Sequence, residues 1–315
     1  MMKAKLDRRI EHFSRPVEVG VRGGILPTSC IPQSASSKGF TLVEMIIVIV
    51  ITGIIGGIVA MFIKAPVQGY VDSARRAELT DIADTAFRRV ARDIRLALPN
   101  SVRRTGTCNG ASTCYLEFIP TIGGGRYRSG GDGLGGGNIL DFDSATNQTF
   151  DVFGLMPTVA IGDQVVVYNT GQVGADAYAG NTAATHNRRS ISAVGAGSLS
   201  IASAARLPLD SCVYDDTGNV IGGCRFQVVQ QPVTYVCDPA AQTLTRWQGY
   251  AIQAGQPTAL PAGGTASRLA TKVTVCNFNY EQISQRSGLV TMRLTISDAG
   301  ENVSLYNSAH VNNLP

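Results

Sequence analysis

The longest hydrophobic run in the chain lies near its N-terminus. From Phe40 to Ile63 the sequence is apolar almost throughout, and its one charged residue is Glu44. As an α-helix this segment would be about 36 Å long, which is enough to cross a hydrocarbon core of roughly 30 Å. The pattern therefore predicts a transmembrane helix over residues 40–63.

Beyond this run the hydrophobic positions become periodic. Over residues 64–98 apolar residues recur at helical spacing, with one slip around Leu79, and charged residues occupy the other side. We predict an amphipathic continuation of the helix that Pro66 kinks or interrupts and that Pro99 ends. The apolar face comprises Val71, Ala74, Ile82, Ala86, Val90, Ile94 and Ala97. The charged side comprises Arg75, Arg76, Arg88, Arg89, Arg92 and Arg95 with Glu78, Asp81, Asp84 and Asp93.

From Asn100 onward the periodicity changes to that of short strands. Runs of alternating apolar and polar residues are separated by glycine, proline and aspartate turns. One long helix followed by such strands predicts an α+β fold, with a head of mainly antiparallel sheet over residues 99–315. The predicted strands are 114–119, 138–142, 164–168, 190–194, 198–202, 226–229, 233–237, 243–250, 272–280, 289–297 and 301–312.

Glycine is abundant in one part of this head, at residues 123–138. Gly131 to Gly136 formally matches GxGxxG, but a dinucleotide site needs a strand before the glycines and a helix after them. Here Pro120 and further glycines precede the match, and a predicted strand follows it. The stretch is therefore predicted to be a flexible surface loop.

The residues at the start of the hydrophobic run form a specific motif. Ser37-Lys38-Gly39 is followed by Phe40-Thr-Leu-Val-Glu44-Met and the apolar helix, in which an isolated carboxylate costs about 3 kcal/mol or more. These residues resemble the prepilin signal of type IV pilins and of type II secretion pseudopilins. The resemblance implies that a prepilin peptidase cuts between Gly39 and Phe40, that Phe40 is then N-methylated, and that Glu44 supports assembly.

Two other interpretations of this segment compete with the prepilin signal. A cleaved secretory signal peptide has an apolar region of roughly 7–15 residues that ends in an Ala-x-Ala-like site. Here the run is longer, and Lys64-Ala65-Pro66 follows it. The second alternative is an ordinary signal anchor, in which Glu44 would have no role.

The distribution of charge indicates the orientation of the helix. Residues 1–39, the predicted cleaved leader, hold seven basic and three acidic side chains, whereas the rest of the chain has equal numbers of both. A positively charged leader is retained on the cytoplasmic side of a membrane. We therefore expect a single-pass inner-membrane protein whose head is periplasmic and later part of a surface filament. A neutral mature chain gives no reason to expect nucleic-acid binding.

Cysteine usage fits an exported head. Of the seven cysteines, Cys30 lies in the predicted leader and would be removed with it. The remaining six allow fifteen disulfide connectivities, among which nearest-neighbour pairing is preferred because each loop then closes locally. A zinc site is disfavoured, because the chain has no CxxC pair and no suitably spaced histidines. The preferred pairs are Cys108 with Cys114, Cys212 with Cys224, and Cys237 with Cys276.

The resemblance extends to four stretches of the mature chain, namely Arg92–Val102, Gly162–Gly171, Val233–Ala241 and His310–Pro315. They are similar to the large O-type minor pilins of mannose-sensitive haemagglutinin (MSHA) pilus systems. This resemblance implies a structural subunit that primes or decorates a pilus. Its implied partners are other major and minor pilins, the prepilin peptidase, the inner-membrane assembly machinery and membrane lipid. The charged face of the helix would then either be solvated or contact other subunits.

Two further functions remain open on the sequence. One is a minor pseudopilin of the J type in a type II secretion system, and the other is a membrane-anchored adhesin or hydrolase. No phosphate loop, HExxH or GxSxG motif is present, and His186 and His310 lie in no catalytic motif. We therefore predict no enzyme activity, catalytic residue, cofactor or metal, although calcium at residues 141–147 or at Asp215-Asp216 stays open.

Overall fold

The computed structural model describes residues 39–131, 133, 136–202 and 205–315. The predicted leader, except Gly39, and Cys30 with it lie outside the described residues. A long helix followed by antiparallel strands confirms the predicted α+β class. The elements are α1 (Leu42–Ile94), β1 (Arg103–Gly106), β2 (Cys114–Phe118), β3 (Thr121–Tyr127), β4 (Gln148–Phe153), β5 (Gln164–Val166), β6 (Arg188–Val194), β7 (Ser198–Ala202), β8 (Cys212–Tyr214), β9 (Val220–Gly223), β10 (Arg225–Val229), β11 (Val233–Asp238), β12 (Thr243–Gln248), β13 (Thr265–Thr271), β14 (Val273–Ser284), β15 (Ser287–Asp298) and β16 (Glu301–Asn312).

Helix α1 ends at Ile94, earlier than the predicted boundary at residue 98. The N–H of Leu98 donates to the carbonyl of Ile119 at 2.8 Å, and the N–H of Thr121 donates to the carbonyl of Leu96 at 2.7 Å. These backbone groups are therefore committed to the segment after β2 and are not available to extend the helix. Pro66, in contrast, lies inside the helix and does not end it.

The strands form four antiparallel groups. β1-β2-β11-β12-β13 make a five-stranded sheet, β10-β3-β4-β7-β6-β5 close into a barrel, β14-β15-β16 form a third sheet, and β8-β9 form a hairpin. The predicted strand at 138–142 is wrong. The N–H groups of Asn138 and Asp141 donate to the side chains of Asp151 and Gln148, so no regular ladder forms there.

The glycine-rich stretch is a loop only in part, because Gly123, Gly124 and Gly125 lie within β3 of the barrel. A Cβ at Gly124 would lie 2.7 Å from the carbonyl oxygen of Phe226, and one at Gly125 would lie 3.0 Å from its ring. Glycine is thus required by the close approach of β3 to β10. Residues 132, 134 and 135 of the GxGxxG match lie outside the described residues.

Residues up to Met61 and residues from Phe62 form two separate units. Within the second unit, the C-terminal part of α1 packs on the five- and three-stranded sheets, with Leu79, Val90 and Ile94 among the fully buried side chains. The barrel encloses a core of its own around Phe150 and Phe226. A third, smaller cluster joins the barrel to the rest of this unit and consists of Leu98, Ile119, Val166, Ala177, Tyr178 and Val229.

Three disulfides are found among the described residues. Cys108 is bonded to Cys114 beside the β1–β2 pair, with Cα atoms 4.7 Å apart. A second disulfide closes the β8–β9 hairpin, at a Cα separation of 4.0 Å, through Cys212 and Cys224. The third connects β11 of the five-stranded sheet with β14 of the three-stranded sheet, at 6.1 Å, through Cys237 and Cys276. It therefore ties together the two sheets on which α1 packs.

Candidate functional site: the N-terminal motif and the helix that carries it

The predicted processing residues lie at the start of helix α1. Gly39 and Phe40 precede the helix, and the Phe40 side chain is 79% exposed. The Thr41 hydroxyl accepts a hydrogen bond from the N–H of Glu44 at 3.2 Å, and Glu44 Oε2 accepts one from the N–H of Thr41 at 3.4 Å. This reciprocal arrangement is a capping box, which satisfies two backbone donors at the helix N-terminus. Glu44 therefore has a local structural role.

The apolar run after Glu44 is uncovered along its whole length. Each residue from Leu42 to Ile63 is exposed, and the segment is long and apolar enough to cross a membrane by length and composition. Thr52 is its one polar side chain after Glu44, and the Thr52 hydroxyl donates to the carbonyl of Val48 at 2.7 Å. The segment thus presents an apolar surface whose polar hydroxyl is already satisfied.

The C-terminal half of α1 uses some of its charges within the protein. Arg76 donates to both carboxylate oxygens of Glu301, at the start of β16. Arg75 lies 3.3 Å from Asp72 and 3.9 Å from Asp298. The pairs with Glu301 and Asp298 anchor the helix to the β15–β16 turn, whereas the pair with Asp72 lies within the helix. Four other charged side chains of this half are exposed and form no ion pair among the described residues. They are Glu78, Asp81, Arg92 and Arg95.

The position of Asp93 on the charged side of the helix suggested that it is solvated, but the structure places it in a mostly buried position. Its side chain is 12% exposed and accepts hydrogen bonds at 2.8 Å from Arg246 Nε and from the Tyr235 hydroxyl. Arg89, four residues earlier, lies 3.2 Å from the other carboxylate oxygen. Burial raises the pKa of Tyr235 most, and the carboxylate of Asp93 raises it further. Asp93 therefore links the last turn of α1 to β11 and β12.

The predicted apolar face is correct only toward the end of the helix. Ala86, Val90 and Ile94 are buried, whereas Val71 is 43% exposed. Ala74 is exposed as well. Leu79, which interrupts the predicted spacing, is fully buried. The contact between helix and sheets therefore begins near Leu79.

Three asparagines meet where the chain leaves the helix. The side-chain amide of Asn100 donates to the carbonyls of Asn169 at 2.9 Å and Asn313 at 3.1 Å. The amide of Asn169 donates in turn to the carbonyl of Pro99 at 2.6 Å. Asn100 has a φ of 58°, a left-handed conformation that asparagine tolerates. Three of the four stretches that carry the resemblance, 92–102, 162–171 and 310–315, are therefore in direct contact.

The positions left open for calcium are explained by turns. Asp215 accepts hydrogen bonds from the N–H groups of Thr217 at 2.9 Å and Asn219 at 2.8 Å, and from both their side chains. These hydrogen bonds lower the pKa of the Asp215 carboxyl, and the one from the Thr217 hydroxyl has the largest effect. Asp141 likewise accepts from the N–H of Asp143 at 2.8 Å. In the described part of the chain, no three His, Cys, Asp or Glu side chains are grouped so as to hold a metal ion.

Comparison with known proteins identifies the N-terminal motif. A family model described as the prokaryotic N-terminal methylation motif matches residues 34–60, which include Gly39, Phe40 and Glu44. No curated protein and no solved structure matches the chain. The N-terminal segment is thus a methylation motif of the type IV prepilin kind, and it supports a pilin-like or pseudopilin protein.

Proposed function

We propose that this protein is a minor pilin, a structural subunit that takes part in assembling or priming a type IV pilus of the MSHA type. Residues 1–39 are the leader, 40–63 the membrane helix, 64–98 its amphipathic continuation and 99–315 a periplasmic, later extracellular, head. The observation that carries the proposal is Glu44 within the methylation motif, at the start of a wholly exposed apolar helix. Other pilins, the prepilin peptidase, the inner-membrane assembly machinery and lipid are the partners.

The exposed helix supports this proposal because such a surface must be covered. Lipid covers it before assembly, and the helices of other subunits cover it in a filament. Apart from the neighbouring residues and the backbone of the same helix, no atom of the described residues lies within 4 Å of where a Cβ would be at Gly53, Gly56 or Gly57. Small residues of this kind allow a neighbouring helix to approach closely.

Glu44 also supports the proposal, because its capping role leaves one carboxylate oxygen free. Oε2 accepts the bond from Thr41, whereas Oε1 accepts none from the described residues. Cleavage after Gly39 would create an amine at Phe40, and a staggered neighbour would present the same amine to this oxygen. Bringing the opposite charges within about 4 Å in a water-poor surrounding stabilises the pair and sets the axial position of the incoming subunit.

The remaining charges of the helix favour contact with other subunits. Arg75, Arg76 and Asp93 are bound within the protein and are not available to a neighbour. Glu78, Asp81, Arg92 and Arg95 stay exposed outside the ion pairs among the described residues. Charged side chains of another subunit would form ion pairs with these residues.

A minor pseudopilin of a type II secretion system is the second candidate, because the methylation motif supports it equally. The companion genes separate the two candidates, since a pilus cluster and a secretion cluster encode different partners. A membrane-anchored hydrolase would instead need a set of catalytic residues in the head, and an adhesin would need a ligand-binding site there.

The proposal is tested by Glu44→Val, with Thr52→Val as the matched control in the same helix. Both variants should be cleaved to an N-terminal Phe40, as shown by mass spectrometry of the membrane fraction. Glu44→Val should stay in the membrane but enter sheared filaments at least about tenfold less, because each 1.4 kcal/mol of lost pairing changes an equilibrium tenfold. Thr52→Val should enter filaments normally, because the Thr52 hydroxyl is satisfied within its own helix.

Equal incorporation of Glu44→Val and wild type would show that helix packing alone sets the position of the subunit. A mature N-terminus other than Phe40 would contradict the processing site itself. Loss of both variants from filaments would show that any change in the apolar run is disruptive and that Glu44 has no special role.

A further inference from the structure

A large polar cleft lies between the barrel and the five-stranded sheet, far along the chain from the N-terminal motif. It encloses about 840 Å³ and is lined by β5, β6 and β10 on one side and by the ends of β12 and β13 on the other. Pockets that bind small molecules measure roughly 300–1,000 Å³. The cleft is therefore large enough for an organic ligand, and nothing in the prepilin motif assigns a role to it.

Arg188, on β6, is the most unusual side chain of this cleft. It lines the cleft yet is only 4% exposed. Its Nε donates to the carbonyl of Ala177 at 2.8 Å, and Nη1 donates to the side-chain oxygen of Gln164. No hydrogen bond from Nη2 to the described residues is formed. Part of the guanidinium donor set is therefore still unused.

This guanidinium also has no carboxylate of the described residues within ion-pair distance. Burial lowers the pKa of Arg188 to about 10, although the more distant charge of Asp176 raises it and so opposes this larger effect. The group is therefore still protonated at neutral pH. A buried cation that forms no ion pair is costly, and a bound anion would reduce that cost.

The described lining holds two other charged side chains, Arg246 and Asp163. Arg246 is bound to Asp93 at 2.8 Å and donates to Gln248. Asp163 accepts a hydrogen bond from the N–H of Ala160 at 2.9 Å. Asp163 forms no ion pair among the described residues, and because Arg246 is already paired, Arg188 is the cation of the described lining that is free to pair with an anionic ligand.

The neutral lining is rich in side-chain amides. Amides both donate and accept hydrogen bonds, and they suit the hydroxyl groups of a saccharide. No aromatic side chain is among the described residues that line the cleft, so stacking would not orient the ligand. Its orientation would instead come from the charge and from hydrogen bonds. The amides belong to Gln164, Asn181, Gln230, Gln231 and Gln248.

We propose that this cleft binds a carboxylate-bearing, hydroxyl-rich ligand, such as an acidic monosaccharide unit, with the carboxylate on Arg188 and the hydroxyls on the surrounding amides. Carboxylate–guanidinium hydrogen bonds are among the strong ones in proteins, so Arg188 determines the preference for an acidic ligand. The proposal gives the head a recognition role that does not depend on how the helix enters a filament.

Titration of the full-length protein in detergent with sodium glucuronate, glucose and sodium sulfate tests this proposal by calorimetry or ligand-observed NMR. Glucuronate should bind about ten- to a hundredfold more tightly than glucose, which has the same hydroxyls without the carboxylate. Arg188→Gln should remove this preference. Arg225→Gln, an exposed arginine on β10 that does not line the cleft, should leave it unchanged.

A second variant keeps the test valid if Arg188→Gln does not fold. Gln231 is exposed in the lining, so Gln231→Glu should fold normally and weaken glucuronate binding by charge repulsion. Gln282→Glu, exposed on β14 outside the cleft, is its matched control and should bind as wild type does. Equal binding of glucuronate and glucose would overturn the proposal, as would sulfate binding as tightly as glucuronate or normal binding by folded Arg188→Gln.

Discussion

The two halves of helix α1 have opposite surroundings although they belong to one continuous helix. Phe62, in the first half, is 76% exposed, whereas Phe87, in the second half, is 3% exposed. Every residue from Leu42 to Ile63 is exposed, and Leu79, Val90 and Ile94 are fully buried. Hydrophobic character alone therefore does not tell which part of a helix is buried against the rest of the chain and which part is left exposed.

The difference in burial between the two halves implies different contributions to the stability of the head. Burial of the second half against the sheets contributes to the folding free energy of the head, at roughly 25 cal/mol per Å² of apolar surface. Among the described residues the first half makes no such burial, so its apolar surface does not contribute to the stability of the head in this way. Substitutions in the two halves should therefore affect different measurements.

The largest expected effect is on stability, for Phe87→Ala compared with Phe62→Ala. Removing the buried ring of Phe87 should destabilise the head by about 3–5 kcal/mol, because a cavity is left in the core. Phe62→Ala should change the free energy of unfolding by less than about 0.5 kcal/mol in detergent. Denaturant unfolding of the full chain, followed by fluorescence of its one tryptophan, Trp247 in β12, measures both. Equal destabilisation by the two variants would contradict the division of the helix.

A smaller effect is expected from the polar anchor of the second half. Asp93→Asn should cost about 1.5–3 kcal/mol, because Arg246 and Tyr235 lose a charged hydrogen-bond partner in a mostly buried position. Asp84→Asn is the matched control. Asp84 pairs with Arg88 at 2.7 Å on an exposed part of the same helix, so its loss should cost under about 1 kcal/mol. If Asp84→Asn were the more destabilising variant in the same unfolding assay, Asp93 would not be the anchor.

Local periodicity made much of this architecture predictable. The helix, the α+β class and the strands Ser198–Ala202 and Glu301–Asn312 follow from patterns within a few neighbouring residues, and the structure confirms them. The N-terminal motif was equally readable, because it is contiguous and ends in an unusual carboxylate, Glu44. Its capping box with Thr41 was also present in the sequence as a Thr-x-x-Glu pattern.

Features that depend on distant partners could not be predicted. Closure of the barrel needs glycines in β3 because β10 approaches closely, and that approach is invisible in the local pattern. Glu117 occupies a polar position of an alternating strand but is fully buried, bound to Arg103 at 2.6 Å and to the Tyr250 hydroxyl at 3.0 Å. Burial raises the pKa of its carboxyl, although Arg103 opposes this. Arg188 in the polar cleft was missed for the same reason.

The smallest expected effect concerns Arg76, between exposed Val71 and buried Leu79, where the two halves of the helix meet. The hydrogen bond from Arg76 lowers the pKa of Glu301 below its ordinary value of about 4.3. A depressed acid pKa contributes stability above the unfolded-state value, and this contribution is lost as the pH falls through the folded-state value. Glu301→Gln should therefore unfold slightly more easily than wild type at pH 7 and become equal to it in acid.

Unfolding midpoints measured from about pH 7 to pH 3 would show this convergence, and added salt should reduce the difference at neutral pH because Arg76 is largely exposed. Asp216→Asn, an exposed carboxyl outside the ion pairs among the described residues, is the control and should give a curve parallel to wild type. A Glu301→Gln curve parallel to wild type at every pH would mean that the Arg76 pair does not hold the helix to β16. The ion pair between this part of α1 and the β15–β16 turn would then be Arg75 with Asp298, 3.9 Å apart.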